Sequence, residues 1–229
     1  MPRIVSLIIG YLMGMIRLSY VLGKKKGLDI RSAGSENAVG TNMLRTFGVK
    51  AGIIIIACDI IKTLVAMSIS WSLFGSKDPQ MSVVYAVYAG AGCVIGHCFP
   101  FYMGFRGGKG IAAMAGLIIG FHNLFLFLAG CLVFLGLFLI THYFSLASIM
   151  LCLALVVEVI LLGEEIIFPD NVFATVPVPA RYEVYILLFF LCVLAWVQHR
   201  GNISRLLRGK ERRTYFSKEE NQAETGRLK

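Results

Sequence analysis

Six stretches of the chain, near residues 3–22, 51–74, 81–100, 124–141, 146–162 and 182–199, are almost continuously apolar and close to membrane-crossing length. About 20 helical residues span a bilayer core. Within lipid every backbone amide must be satisfied inside its own segment, so such runs fold as helices. Composition agrees: 57% of the 229 residues are hydrophobic and 15% are charged, with mean hydropathy +0.75. A water-soluble domain carries about a quarter charged residues. The reading is an all-α integral membrane protein, with one membrane domain over 1–209 and a mixed-charge tail, 210–229, expected to be a mobile cytoplasmic end. A cleaved leader is not expected, because the first run contains Arg17 and lacks a small-residue cleavage pattern.

A seventh run, 111–121, is too short to be read by length alone. It fits a short tilted span or a re-entrant segment buried in protein. Charge helps to choose. The net charge is +9, and 17 of the 22 Lys and Arg residues fall in 24–50, 96–110 and 199–229. Basic loops remain on the cytoplasmic side. With all three basic stretches inside, an even number of crossings must separate 96–110 from 199–229, so 111–121 counts as a crossing. Seven transmembrane helices, some short, with the N-terminus outside and the C-terminus cytoplasmic, is the self-consistent count. The alternative is a re-entrant 111–121 with another run failing to cross. The loop 163–183, with Glu164, Glu165, Asp170 and Glu183 against Arg181, then faces outward.

Three polar islands interrupt this pattern. The first, 29–45, is dense in Gly, Ser, Asn and Thr between Arg31 and Arg45. Backbone N–H groups, hydroxyls and a helix starting near Thr41 would surround an anion there, although a plain capped turn has the same composition. The second, 96–110, combines Gly104, Gly107, Gly108 and Gly110 with Arg106 and Lys109. Glycines admit close approach of a ligand to backbone, Arg106 can grip a phosphate bidentately, and Lys109 adds a point charge. It is not a P-loop, since no Ser or Thr follows Lys109 and the glycine spacing differs. The third, 199–211, puts His199, Asn202 and Arg205 at three-residue spacing, on one face of a helix. Arg208, Lys210, Arg212 and Arg213 read as a positive anchor beyond the last span.

Charges inside the spans are costly. Asp59 and Lys62 share a helix face, so they pair with each other or line a polar cavity. Arg17 and Glu158 lie near span ends and are expected to snorkel. His122 is expected at the interface and His142 in an inward turn. The six cysteines form no C-x-x-C pair and read as small packing residues, with no disulfide framework and no metal site. No aromatic-interleaved basic module accompanies the cations, which disfavours nucleic acid as a partner.

Taken together, the islands resemble the acyl-phosphate-dependent glycerol-3-phosphate acyltransferases of bacterial membranes. The likeness runs from about Gly10 to Glu211. A family motif of the form DIR…GSGNxGATNxxR is met by Asp29-Ile30-Arg31, residues 34–42 and Arg45. A second, GHxFPxxxxFKGGKG, is met by Gly96, His97, Phe99, Pro100, Phe105, Gly107, Gly108, Lys109 and Gly110, with Arg106 in place of lysine. A third, HRxNIxRLxxGxE, is met by His199, Arg200, Asn202, Ile203, Arg205, Leu206, Gly209 and Glu211. Asp59 with Lys62, and the run Tyr143, Ser145, Leu146, also look like the family. Glu36, Val39 and Gly40 depart from it, as do Arg17, at the end of a stretch that resembles Gly-Ser-Ile-Pro, and His142 in place of an expected arginine.

The resemblance implies seven spans in a bacterial plasma membrane, with the active site facing the cytoplasm. It implies transfer of an acyl group from acyl-phosphate to the 1-hydroxyl of glycerol 3-phosphate, as the first step of phospholipid synthesis. Ser35, Arg45, Lys109, His199 and Asn202 would carry catalysis. Asn37, Thr41, Asn42, His97, Arg106, Gly107, Gly108, Gly110 and Arg205 would bind substrate and phosphate. His97 or His199 could take the hydroxyl proton; the resemblance suggests instead that the leaving phosphate does so. No cofactor or metal is implied. The implied partners are the two substrates, the lipid bilayer and the enzyme that supplies acyl-phosphate. The acyl-CoA type of chemistry that relies on His-x₄-Asp is disfavoured, since Tyr102, Phe127, Ala147 and Ser204 stand where the Asp would be. Two other readings remain open: a small-anion or glycerol-phosphate transporter, and a diverged lipid-binding paralogue without catalysis.

Overall fold

The computed structural model describes residues 1–20, 49–168, 171–215, 220, 224 and 226. Among them are eight α-helices and no strand. They are α1 (Pro2–Gly14), α2 (Val49–Ser70), α3 (Ser82–Cys98), α4 (Ile111–Gly120), α5 (Leu124–Thr141), α6 (Phe144–Gly163), α7 (Val178–Gln198) and α8 (Arg200–Leu207). Six helical segments are long and apolar enough to cross a membrane, and α4 is a shorter apolar helix. The expected runs are recovered with ends moved by a few residues. The last long helix begins earlier than its apolar run because Pro179 occupies its first turn, where a missing N–H is harmless. Helix α2 ends in a π-helical turn, Trp71–Gly75.

Helix α3 is central and packs against α1, α2, α4 and α7. Its contact with α1 is backbone on backbone. A Cβ on Gly10 or Gly14 of α1, or on Gly92 or Gly96 of α3, would collide with the facing main chain. Small residues four apart bring helices together this closely in lipid, where water does not drive association. The pairing runs parallel, Leu7 beside Gly92 and Tyr11 beside Gly96, so the C-terminal ends of α1 and α3 lie together. The interior is filled by Val84, Val87, Leu117, Leu155, Leu188 and Leu191, while Leu132, Ile140, Ile186 and Phe189 face outward as an apolar surface. Lipid is the solvent that suits such a surface.

Opposite the C-terminal ends of α1 and α3, polar pairs close the bundle. Arg3 Nε donates to Glu183 Oε2 at 2.7 Å, Arg181 pairs with Glu165 at 2.9 Å, and Tyr185 donates to Glu164. These are the carboxylates expected in the loop 163–183, of which Glu183 falls within α7; Asp170 lies outside the described residues.

Two expectations fail. Arg17 and Glu158 do not snorkel: they are 3% and 8% exposed. Arg17 follows the end of α1, where the chain passes beneath α3. Glu158 falls on the buried stripe of α6 with Leu151, Leu155 and Leu162, and its Oε2 has no hydrogen-bond partner among the described residues.

Candidate active site

The second island forms a tight loop between α3 and α4. Gly107 N–H donates to the Cys98 carbonyl at 2.9 Å and Gly108 N–H to the His97 carbonyl at 3.1 Å. Carbonyls of the last turn of α3, which have no partner within the helix, thereby hold the loop. Gly108 lies so close to His97 that a Cβ there would overlap the imidazole Nε2. Gly110, at φ +83°, caps α4. The free N–H groups of the first turn of α4 therefore open onto the same loop, a setting that favours an anion.

Lys109 reaches across to α8. Its Nζ donates to Asn202 Oδ1 at 2.6 Å, a contact between residues 93 apart in sequence. Asn202 is held in turn by Glu211, whose buried carboxylate accepts from Asn202 Nδ2 at 2.6 Å, Arg205 Nε at 2.8 Å and Ser145 Oγ at 2.8 Å. Gly209, at φ +64°, turns the chain back after α8, and Lys210 N–H bonds to the Arg205 carbonyl. This return brings Glu211 against the helix it follows. The chain then lies along the α5–α6 turn: Thr214 N–H donates to the His142 carbonyl at 2.8 Å, and the rings of His142 and Tyr215 are 4.8 Å apart. The start of the expected mobile tail is thus tied to the body.

His199 joins α7 to α8. It is 2% exposed, and its Nδ1 donates to the Ala195 carbonyl at 2.7 Å. Burial, helped by the charge of Lys109, lowers its pKa from 6.5 to about 4, so the ring is neutral near pH 7. A neutral imidazole donating at Nδ1 keeps Nε2 as an acceptor.

Behind the loop lies a set of buried charges. Asp59 Oδ1 is 2.7 Å from Lys62 Nζ and 3.3 Å from His97 Nδ1. Lys62 also reaches His97 Nδ1 at 3.1 Å, and donates to the carbonyls of Gly14 and Ile16 at 3.0 Å each. The Asp59–Lys62 pair expected from its spacing is therefore present and extended to His97. His97 itself is 4% exposed and meets the loop from behind, through Gly108, rather than from the open side expected of a substrate-binding residue. Its burial follows from its place on the inner face of α3, the helix surrounded by the others. Arg17 joins this set: Nη1 donates to the His97 carbonyl at 2.9 Å.

Of the residues singled out in the sequence, the structure brings Gly107, Gly108, Lys109, Gly110, His199, Asn202 and Arg205 to one end of the bundle, with Arg106 exposed beside them. Ser35, Asn37, Thr41, Asn42 and Arg45 lie outside the described residues, as does the rest of the first island. The last residue before that gap, Tyr20, stacks edge-on against Tyr102 of the glycine loop, 6.3 Å between ring centres. Arg17 and Glu211 were not assigned a site role from sequence. The signal for Arg17 was its charge within an apolar run, which demands a buried partner. Among the described residues no cluster of His, Cys, Asp or Glu could hold a metal.

Comparison with known proteins adds an independent line. The sequence profile of the glycerol-3-phosphate acyltransferase family matches residues 4–209. A glycerol-3-phosphate acyltransferase of Chlorobium phaeobacteroides (strain BS1) is 36% identical over 233 aligned positions, covering 93% of this chain and 97% of the relative. That of Mycoplasma pneumoniae is 35% identical, covering 90% and 92%, and that of Aquifex aeolicus is 32% identical, covering 93% and 100%. Among solved structures, the integral membrane glycerol 3-phosphate acyltransferase PlsY (YgiH) is similar in its glycerol 3-phosphate form, with TM-score 0.76, 31% identity and coverage of 93% and 96%. Its lysophosphatidic acid form gives a TM-score of 0.74. The match extends through every helix that builds the loop and its partners, and the chain belongs to the PlsY-type glycerol-3-phosphate acyltransferase family of multi-pass membrane proteins.

Proposed function

We propose that the protein transfers a fatty acyl group from acyl-phosphate to the 1-hydroxyl of sn-glycerol 3-phosphate, giving lysophosphatidate and inorganic phosphate. The observation that carries this reading is the meeting of Lys109 and Asn202 at 2.6 Å over a glycine loop that opens a helix. A cation, free N–H groups and a side-chain amide, facing one space at the end of an apolar bundle, suit two phosphate-bearing molecules of which one has a lipid tail. The names of its relatives and structural neighbours supply the acceptor.

In the reaction the hydroxyl oxygen attacks the acyl carbon, a new ester C–O bond forms, and the bond from the acyl carbon to the phosphate oxygen breaks. The hydroxyl proton goes to the departing phosphate. The neutral His199, with a pKa of about 4, is a weak base near pH 7. Catalysis then rests on alignment and on fixed charge near the developing oxyanion. Lys109 and the N–H groups that open α4 hold phosphate, Asn202 and Arg205 orient the acceptor, and Ser35, Asn37, Thr41, Asn42 and Arg45 complete the wall. An apolar groove lined by Ile118, Phe127, Gly130, Phe134 and Leu151 runs beside α4, the helix that begins in the loop, and suits the acyl tail.

The proposed topology has seven crossings, N-terminus outside and C-terminus cytoplasmic. Helix α4, about 15 Å long at 1.5 Å per residue, serves as the seventh with its flanking loop and turn. The membrane domain is 1–209 and the cytoplasmic tail 210–229. The site faces the cytoplasm from a bacterial plasma membrane, where the enzyme that makes acyl-phosphate is a natural partner.

The test is donor choice. Purified protein should acylate glycerol 3-phosphate from acyl-phosphate and not from acyl-CoA, and Lys109→Ala should remove the activity. Turnover with acyl-CoA alone, full activity of Lys109→Ala, or uptake of glycerol 3-phosphate into vesicles without acyl transfer would each overturn the proposal.

A further inference from the structure

Helix α8 has two faces with different partners. Asn202 and Arg205 turn inward, and both donate to Glu211. Arg200, Ile203, Ser204, Leu207 and Arg208 succeed one another at three- and four-residue spacing, so they share the opposite face. The helix packs against α6 and α7. On its outer face Leu207 is 85% exposed, Arg200 and Arg208 are exposed, and Ile203 is half-buried. Gly209 then turns the chain, and Lys210 and Arg212 are exposed beyond it. The side chains of Arg200, Arg208, Lys210 and Arg212 form no hydrogen bond or ion pair among the described residues. Glu211 is the sole carboxylate of segment 199–215, and it is buried and already shared by Asn202, Arg205 and Ser145. Four cations thus stand around an exposed leucine, directly after a helix long and apolar enough to cross a membrane.

We infer that the outer face of α8, with Lys210 and Arg212, is a docking surface for the headgroups of anionic phospholipids in the leaflet that borders the site. A lipid surface suits both halves of the pattern. Ile203 and Leu207 reach the boundary between headgroups and acyl chains, while the guanidinium and ammonium groups meet phosphate oxygens. A face left in water gains nothing from Leu207, and a second copy of the chain would set like charges against each other. Each Lys or Arg near an anionic membrane surface strengthens binding about five-fold. The same eight-residue helix carries Asn202 on its inward face, so lipid docking would hold the Lys109–Asn202 contact at headgroup depth. The inference stands apart from the proposed reaction, because lipid binding alone tests it.

The experiment uses the full chain in a neutral detergent. Phosphatidylglycerol and phosphatidylcholine are titrated separately, and native mass spectrometry counts the bound lipid. The wild type should bind phosphatidylglycerol about ten-fold or more tighter than phosphatidylcholine at low ionic strength. Replacing Arg208, Lys210 and Arg212 together by glutamine should remove most of that preference and leave phosphatidylcholine binding within about two-fold of the wild type. Leu207→Gln, which keeps the charges, should weaken both lipids alike. Raising the ionic strength from about 0.01 M to about 0.15 M shortens the Debye length from about 30 Å to about 8 Å, so the wild-type preference should shrink. Should the triple variant not survive purification, Arg208→Gln alone is read by its loss of about five-fold in phosphatidylglycerol affinity. Equal affinity of the wild type for the two lipids overturns the inference and leaves the cations to an acidic protein. A triple variant that keeps the wild-type preference overturns it, because the selectivity then resides in another part of the chain. A preference indifferent to salt overturns it as well.

Discussion

Replacing Glu211 by glutamine keeps the shape of the side chain and removes its charge. In the native site three donors, Asn202 Nδ2, Arg205 Nε and Ser145 Oγ, converge on this one carboxylate within 2.6–2.8 Å. A glutamine can accept from two of them through Oε1, but its own NH₂ then faces a donor. The Arg205 side chain is 46% exposed, so its ion pair contributes little. The loss falls on Asn202, which is buried and also meets Lys109. A hydrogen bond to a charged group contributes about 1.5–3 kcal/mol and one between neutral groups about 0.5–1.5 kcal/mol, so the weaker hold on Asn202 should cost about 1–1.5 kcal/mol and lower kcat/KM about 5- to 12-fold. Ser145→Ala is the control. It removes one donor from the carboxylate oxygen that also accepts from Asn202, leaves the charge and the Asn202 bond in place, and should lower kcat/KM less than Glu211→Gln does. The assay is phosphate release from acyl-phosphate in the presence of glycerol 3-phosphate, with melting temperature measured alongside. Glu211→Gln within three-fold of the wild type, while Asn202→Ala abolishes activity, would refute the claim that the returning chain holds Asn202 in place.

Other perturbations follow from single contacts. Gly108→Ala must push against the His97 ring; overpacking of this kind costs about 1–3 kcal/mol, and the KM for phosphate-bearing substrates should rise about 5- to 150-fold while Gly136→Ala, in helical backbone of α5 with open space around it, leaves KM nearly unchanged. His199, with its folded pKa lowered from 6.5 to about 4, favours the neutral ring, so its contribution to stability is complete above pH 6.5 and is lost as pH falls toward 4. The melting temperature of the wild type should therefore fall more steeply than that of His199→Gln between pH 7.5 and pH 4.5, and parallel curves would contradict the burial argument. Gly130→Val adds atoms where even a single Cβ would stand 3.3 Å from Leu151 Cδ1, at the wall of the apolar groove. It should raise KM for long-chain acyl-phosphates more than for short-chain ones, read from a chain-length series.

The spans were legible because apolar runs in lipid have one backbone solution, whereas the short run 111–121 was readable by length only as a short tilted span or a re-entrant segment. What the sequence could not supply was which face each polar residue takes. Arg17 and Glu158 sit near the ends of their runs, and nearness to an end suggests snorkelling; the structure puts both on inward faces. His97 reads as a ligand-binding residue beside a glycine loop, but it belongs to the innermost helix and meets the loop from behind. The contact between Lys109 and Asn202 spans 93 residues and no local pattern encodes it. Glu211 lies in a basic stretch, and only the turn at Gly209 reveals that its carboxylate faces back onto α8. Asp59 and Lys62 were readable as a pair from their spacing, whereas their third partner comes from a different helix.

The central claim is that the glycine loop and α8 together form one phosphate site. A structure of the protein with glycerol 3-phosphate bound tests it most directly. The account predicts the phosphate group against the N–H groups of Ile111 to Ala113 at the start of α4, within hydrogen-bonding distance of Lys109 Nζ, with the 1-hydroxyl directed to the side of Asn202. A phosphate bound elsewhere, with Lys109 still closed on Asn202 and the loop unoccupied, would contradict it.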